Sequence, residues 1–425
     1  MGPCRWPHEA MPWEDSERED GMGTYLNPGK QSYQMAVNSE IFVDKTEMVR
    51  HLNAVVNTQQ RYVSVSRPRR FGKTMAADMV CAYYDREADS RELFSQRKLA
   101  WGGQGARWDE YLGEFDVLRL VMTDFMEGSQ SAQDMVDYLT EEVVDELREK
   151  YPDVRMGSRI NLRTVMSRIY GATRRQFVIV IDEWDAIFRA WKGDLAGQTK
   201  DLDFLRDWMK DKPYIALAYM TGILPIKKYG QHSALNMFTE YSMTTPRQLA
   251  PYTGFTEGEV QALCTTYHMD YQEISNWYDG YVISDQIPTD EREAFRSGEY
   301  QGHRISIYSP LSVVESMTTG RIQNYWNKTE TYEALAEYIR MDYDGLKDAV
   351  ALLMDGGRLK IDTSTYQNDM TTFHGRDDIL SLLIHLGYLG YDDETSEVFI
   401  PNKEILDEFR ASTKSGEWTE PFRAY

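Results

Sequence analysis

Between Ser66 and Thr74 the chain reads Ser-Arg-Pro-Arg-Arg-Phe-Gly-Lys-Thr, with three arginines and a lysine inside seven positions. A lysine and a hydroxyl residue directly after a glycine suit a metal-bound polyphosphate. The lysine reaches the terminal phosphates and the hydroxyl holds the Mg²⁺ bound to them. Lys73 and Thr74 take those roles here, with Arg67, Pro68, Arg69, Arg70, Phe71 and Gly72 as the rest of the binding loop. A second reactive pair, Asp182-Glu183, closes the apolar run Gln176-Phe-Val-Ile-Val-Ile. Asp182 is the candidate for the hydrated metal and Glu183 for the base that polarises the attacking water. Such a base contributes a factor of ~10²–10⁴.

These residues need elements that aim them. Tyr62–Ser66 reads as a short buried strand, and Met75-Ala-Ala-Asp-Met-Val-Cys-Ala-Tyr-Tyr84 as a helix that begins at the Gly-Lys-Thr. Strand, loop and helix in that order form the P-loop arrangement, in which a helix N-terminus offers unpaired N–H groups and a partial positive charge to phosphate. The usual pattern is G-x-x-x-x-G-K-[ST], and its first glycine falls on Arg67. Pro68 stiffens the loop instead, and Arg67, Arg69 and Arg70 are read as added donors for phosphate. The apolar run 176–181 fits a central parallel strand buried on both faces, whose acidic end emerges where ligands sit in such sheets. The two motifs lie about a hundred residues apart in the expected order.

Further strands are expected at Phe115–Met122 and Tyr214–Thr221, and helices at Lys45–Val56, after Ser131, within 152–175 and at Leu202–Met209. The Met135, Leu139, Val143, Leu147 stripe is core packing. Thr221, a polar residue at a strand tip, is the candidate γ-phosphate sensor. An arginine usually stabilises the transition state of such a reaction; Arg189 and Arg206 follow the acidic strand as candidates, and the favoured reading of both is an ordinary surface residue. The alternation predicts an α/β fold, a mainly parallel sheet flanked by helices. A strand inserted between the phosphate strand and the acidic strand would mark the class that uses a catalytic glutamate.

The segments Phe42-Val-Asp-Lys45, Arg67–Thr74 and Val180-Ile-Asp-Glu183 resemble the bacterial AAA-ATPase-like family, as do Thr221-Gly-Ile-Leu-Pro-Ile-Lys-Lys228, Gly254-Phe-Thr256, Trp277-Tyr-Asp-Gly-Tyr281 and Tyr325-Trp326. The likeness runs over roughly residues 36–410. It implies a P-loop ATPase with ATP and Mg²⁺ as cofactors, and arginine at the first-glycine position is that family's form of the loop. Members often carry a C-terminal PD-(D/E)XK nuclease-like domain, whose site needs an acid two residues before a lysine. Beyond residue 250 the residues two before each lysine are Trp326, Gly345, Arg358, Pro401 and Ser412. None is acidic, so the nuclease signature is missing and a short form or a fragment is expected.

Composition bounds the rest. A chain of 425 residues is long enough for two or three domains, and 42% apolar with 12% aromatic residues suits a globular protein. Three scattered cysteines and seven scattered histidines give no metal or disulfide pattern, and a cytoplasmic protein is expected. The charge of −21 disfavours nucleic acid and anionic lipid overall, and no apolar run reaches membrane-spanning length. The expected organisation is a flexible tail at 1–35, a P-loop ATPase domain at 36–255, a helical lid region at 256–330 and a winged-helix-like module at 331–425. The last rests on helix, hairpin and helix between Asp377 and Phe409, with acidic residues Asp392, Asp393 and Glu394 on the hairpin. The leading expectation is Mg²⁺-dependent ATP hydrolysis coupled to conformational change. Two alternatives are a nucleotide-dependent regulatory module with little turnover and a nucleic-acid-processing component working with a nuclease. A protein partner or homo-oligomer is left open.

Overall fold

The computed structural model describes residues 23–101, 107–157, 161–227, 234–284, 304–326, 332–341 and 343–414. Five strands form the main sheet: β1 (Tyr62–Ser66), β2 (Asp116–Val121), β3 (Phe177–Asp182), β4 (Ile215–Gly222) and β5 (Thr239–Tyr241). Their order is β2-β3-β4-β1-β5, and every pairing is parallel. All positions of β1, β3 and β4 are buried, as expected for strands covered on both faces. The inserted strand is therefore present: β4 separates β1 from β3, with Val65 opposite Thr221 and Ile181 opposite Met220.

One core cluster joins β1, β3 and β4 to the helix Lys73–Tyr84 through Val63, Ala77, Val80, Val178 and Leu217. The helix Ala132–Lys150 starts where the Ser131 side chain accepts the Asp134 amide, and buries Met135, Leu139, Val143 and Leu147. It packs against the helices Leu162–Thr173 and Leu195–Met209. The last begins seven residues earlier than its apolar pattern predicts, because Asp194 caps it through the Gly197 amide.

The tail boundary at residue 35 is corrected. Residues 1–22 lie outside the described residues, but 23–35 are anchored. The Glu146 carboxylate accepts the amides of Thr24, Tyr25 and Leu26, Leu26 bridges to Leu118, and Gln31–Val37 is helical. The anchor lies more than a hundred residues away in sequence, beyond the reach of a local reading.

Residues 255–326 hold the helices Glu257–Tyr267, Tyr271–Tyr278 and Pro310–Thr319. Thr256 and Glu259 form the capping box expected at the first of them. The expected helical lid also contains a sheet: β6 (Phe255–Thr256), β7 (Tyr281–Ser284) and β8 (Arg304–Tyr308), ordered β6-β8-β7 and antiparallel. The polar loop 285–303 between β7 and β8 lies outside the described residues. Further on, β9 (Leu359–Lys360) joins the hairpin of β10 (Gly390–Asp392) and β11 (Glu397–Phe399), flanked by the helices Arg376–Leu386 and Lys403–Lys414. Of the hairpin acids, Asp392 is engaged within the chain, pairing with Arg304 at 2.6 Å and Arg358 at 3.2 Å. Among the described residues no helix is long and apolar enough to cross a membrane.

Candidate functional site

The carboxyl ends of β1 and β3 and the start of the helix Lys73–Tyr84 open onto a cavity of about 710 Å³. Arg69, Arg70, Phe71, Gly72, Lys73 and Thr74 line it from the loop, and Glu183 and Arg189 from the end of β3. Gly72 sits at φ +81°, a left-handed conformation that favours glycine, and supplies no side-chain acceptor to the helix it precedes. The first-turn amides of that helix are thus not capped from within.

Lys73 is 8% exposed and donates to the Pro68 carbonyl at 2.8 Å. Burial pushes its pKa down to about 8, against the pull of Asp185 and Asp182. The buried Asp182 carboxylate lies near Thr74, whose side chain lowers its pKa, so loop and acidic strand meet across the intervening β4. Burial raises the Asp182 pKa, and Arg119 opposes that rise with a guanidinium 3.6 Å away. Arg119 also holds Asp78 of the loop helix at 2.8 Å. Among the described residues no group of three His, Cys, Asp or Glu side chains could hold a metal ion. The Thr74 hydroxyl and Asp182 carboxylate are two adjoining hard oxygen donors. That set fits Mg²⁺, which takes one or two protein ligands and completes its shell with phosphate and water.

Glu183 has φ +54°, a left-handed conformation uncommon for a residue with a side chain. Its Oε2 accepts from Arg189 Nη2 at 3.0 Å, while Arg189 Nε lies 3.2 Å from Asp185 Oδ2. Arg189 is accordingly no surface residue, since its side chain is 13% exposed. Arg206 is one, paired with Asp203 and Asp207 on an exposed helix face.

Residues 29–231 match the family model AAA-ATPase-like, described as a predicted AAA-ATPase. Over that segment the chain is similar to the AAA-ATPase-like family. The segment spans all four strands from β1 to β4, the loop Arg67–Thr74, Asp182, Glu183 and Asp185. None of the curated proteins matches the chain. Among solved structures, a Walker-type ATPase of Pyrococcus abyssi aligns at 12% identity and TM-score 0.38, covering 86% of this chain and 94% of that one. The ORC2 protein of Aeropyrum pernix, in ADPNP–ADP complexes, aligns at 10% identity and TM-score 0.31, covering 91% and 99%. Cdc6p from Pyrobaculum aerophilum aligns at 10% identity and TM-score 0.26, covering 87% and 92%.

Within the AAA-ATPase-like segment, two loop residues do not line the cavity. Arg67 is fully buried and turns under the loop, donating from Nη1 to the carbonyls of Ser66 at 2.8 Å and Tyr241 at 3.0 Å. It ties β1 to β5, and burial lowers its pKa to about 10. Reading it as a phosphate donor is corrected on that geometry: at the end of a wholly buried strand its side chain points into the core. Pro68 contributes its carbonyl to Lys73 and its ring to the approach of Gly387. Thr221, the penultimate residue of β4, is fully buried, outside the cavity lining, with its carbonyl accepting from the Trp184 amide. Its hydroxyl has no hydrogen-bond partner among the described residues.

Other residues at the site escape a sequence reading. Arg119 had a signal, a lone charge inside the apolar run of β2. Asp185 had none, and its Oδ2 accepts the amides of Ile223 at 3.1 Å and Leu224 at 2.9 Å. Lys45 also lines the cavity, and it pairs with Glu259 at 2.5 Å and the Pro251 carbonyl at 2.7 Å.

Proposed function

We propose that the chain binds ATP with Mg²⁺ at this cavity and hydrolyses it, coupling nucleotide state to the elements beyond residue 250. The observation that carries the reading is the convergence of Lys73, Thr74 and Glu183 on one cavity at the end of the sheet, with the buried Asp182 beside Thr74 and Lys73. Lys73 exchanges the Pro68 carbonyl for the terminal phosphates, and Arg69 and Arg70 add charge at the rim. Thr74 and Asp182 would hold the Mg²⁺, which when bound would offset charge on the phosphate oxygens. Glu183 orients the attacking water and takes its proton. The sensor role expected of Thr221 finds no support in its position, fully buried and outside the cavity lining.

Coupling is supported by contacts that tie the loop and the exit of β4 to later segments. Phe71 meets Tyr281 edge to face at 5.4 Å, and its carbonyl accepts the Gly254 amide at 2.9 Å. Tyr281 in turn donates to the Gly387 carbonyl at 2.5 Å. After β4, Asn368 donates to the Ile226 carbonyl at 2.6 Å and Lys227 pairs with Asp369 at 3.1 Å. A shift of the loop or of this exit would move these partners. The final segment, helix–hairpin–helix with β9 added, is read as a winged-helix-like module that makes protein contacts, its Asp392 already engaged by Arg304 and Arg358.

A second reading, a nucleotide-binding switch with little turnover, draws on the pairing of Glu183 with Arg189. Phosphate release from purified protein separates the two. Hydrolysis predicts Mg²⁺-dependent release that Lys73→Ala and Glu183→Gln abolish, with Glu183→Gln still binding ATP. Equal background release from all three proteins would establish the switch.

A further inference from the structure

Arg189 lines the cavity, and its guanidinium is shared between two carboxylates that precede it on the same turn, Glu183 and Asp185. The two partners differ. Asp185 is fully buried and further fixed by the Ile223 and Leu224 amides, so it is an anchor. The Glu183 side chain is 39% exposed on a left-handed backbone, so it is the partner that can leave. Burial alone would lower the Arg189 pKa, but Asp185 and Glu183 hold it above its ordinary value, so the guanidinium stays charged beside the loop. Arginine's planar fork matches a phosphate as well as a carboxylate.

We infer that Arg189 is a phosphate-reading residue, swapping Glu183 for the terminal phosphate of a bound triphosphate and so releasing Glu183 toward the attacking water. This rests on reading the cavity as a triphosphate site. Arg189 then reports the presence of the third phosphate to the base, and Asp185 relays its position to the chain leaving β4, where Ile223 lines the same cavity.

The test is equilibrium binding of ADP and of a non-hydrolysable ATP analogue, both with Mg²⁺, to the whole chain. Wild type, Arg189→Ala, Arg189→Lys and Glu183→Gln are compared, with thermal unfolding to confirm that each variant folds. Arg189→Ala is expected to weaken the triphosphate analogue by about 10- to 100-fold, the size of one charge-assisted hydrogen bond, and to leave ADP within about threefold. Arg189→Lys recovers part of the loss, because the charge remains and the fork does not. Glu183→Gln, which weakens the competing partner, is expected to tighten the analogue severalfold, opposite in sign to Arg189→Ala. Equal weakening of both nucleotides by Arg189→Ala, or none of either, overturns the inference and leaves the nucleotide site standing. Wild type binding neither nucleotide removes the site itself and the inference with it. If Arg189→Ala does not fold, the sign of the Glu183→Gln change decides alone.

Discussion

Lys73→Met is expected to act in opposite directions in two assays. Lys73 carries its charge at 8% exposure, and its pKa falls from 10.5 to about 8, chiefly because burial strips water from the ammonium. At about 1.4 kcal/mol per pKa unit, the folded chain spends about 3 kcal/mol to keep that group protonated at pH 7. Methionine retains an apolar stem of similar length and removes the charge. It also removes the hydrogen bond to Pro68, a loss of about 1 kcal/mol. The variant should therefore be about 2 kcal/mol more stable at pH 7, a rise in Tm of roughly 4–8 °C for a domain of this size, while losing nucleotide binding. The pH dependence has a definite sign. Between about pH 8 and 10.5 the unfolded chain holds a proton on this lysine that the folded chain lacks, so wild-type stability rises across that window. The variant lacks that rise, so its advantage should fade as the pH approaches 10.5. Urea unfolding at pH 7 and at pH 9.5, with nucleotide titration alongside, reads all three effects. A variant less stable than wild type at pH 7, or an advantage independent of pH, would refute the reasoning.

Glu404 accepts the Tyr325 and Trp326 amides and the Ser312 hydroxyl, and burial raises its pKa from 4.5 to about 7. The folded chain binds this proton more tightly than the unfolded one, so the associated stability is full below about pH 4.5 and lost as the pH rises through 7. Glu404→Gln, which can keep the amide contacts, should stabilise the protein by about 2–3 kcal/mol at pH 8 and leave it unchanged at pH 4, measured by denaturant unfolding. Gly254 has φ +92°, and an added Cβ would lie 2.4 Å from Ile307 Cγ2. Gly254→Ala should cost about 2–4 kcal/mol and weaken ATP binding through the Gly254–Phe71 hydrogen bond, seen as a lower Tm and a raised Kd.

Local signals carried much of the site. Gly-Lys-Thr after a short buried run, and Val-Ile-Asp-Glu at the end of a longer one, announce strand, loop and acid by adjacency alone, and β1, the helix Lys73–Tyr84 and β3 appear where they imply. Side-chain direction was not legible in the same way. Arg67 reads as one more cation among four, yet strand alternation carried through a buried β1 turns it toward the Tyr241 carbonyl of β5, a strand 174 positions later. Arg189 reads as surface because its acidic partners look like ordinary neighbours, until the turn after β3 folds them around it.

By itself the sequence determined the loop, the acidic strand, the parallel α/β class and the family likeness of residues 29–231, because each depends on residues within a turn or a strand of one another. Tertiary structure alone decided that β4 lies between the two motifs, that β6 finds β8 about fifty residues away, and that Glu146 anchors residues 24–26. These are pairings between distant segments, selected by what the assembled core leaves to be buried or hydrogen-bonded, and no local pattern encodes which distant partner will satisfy it.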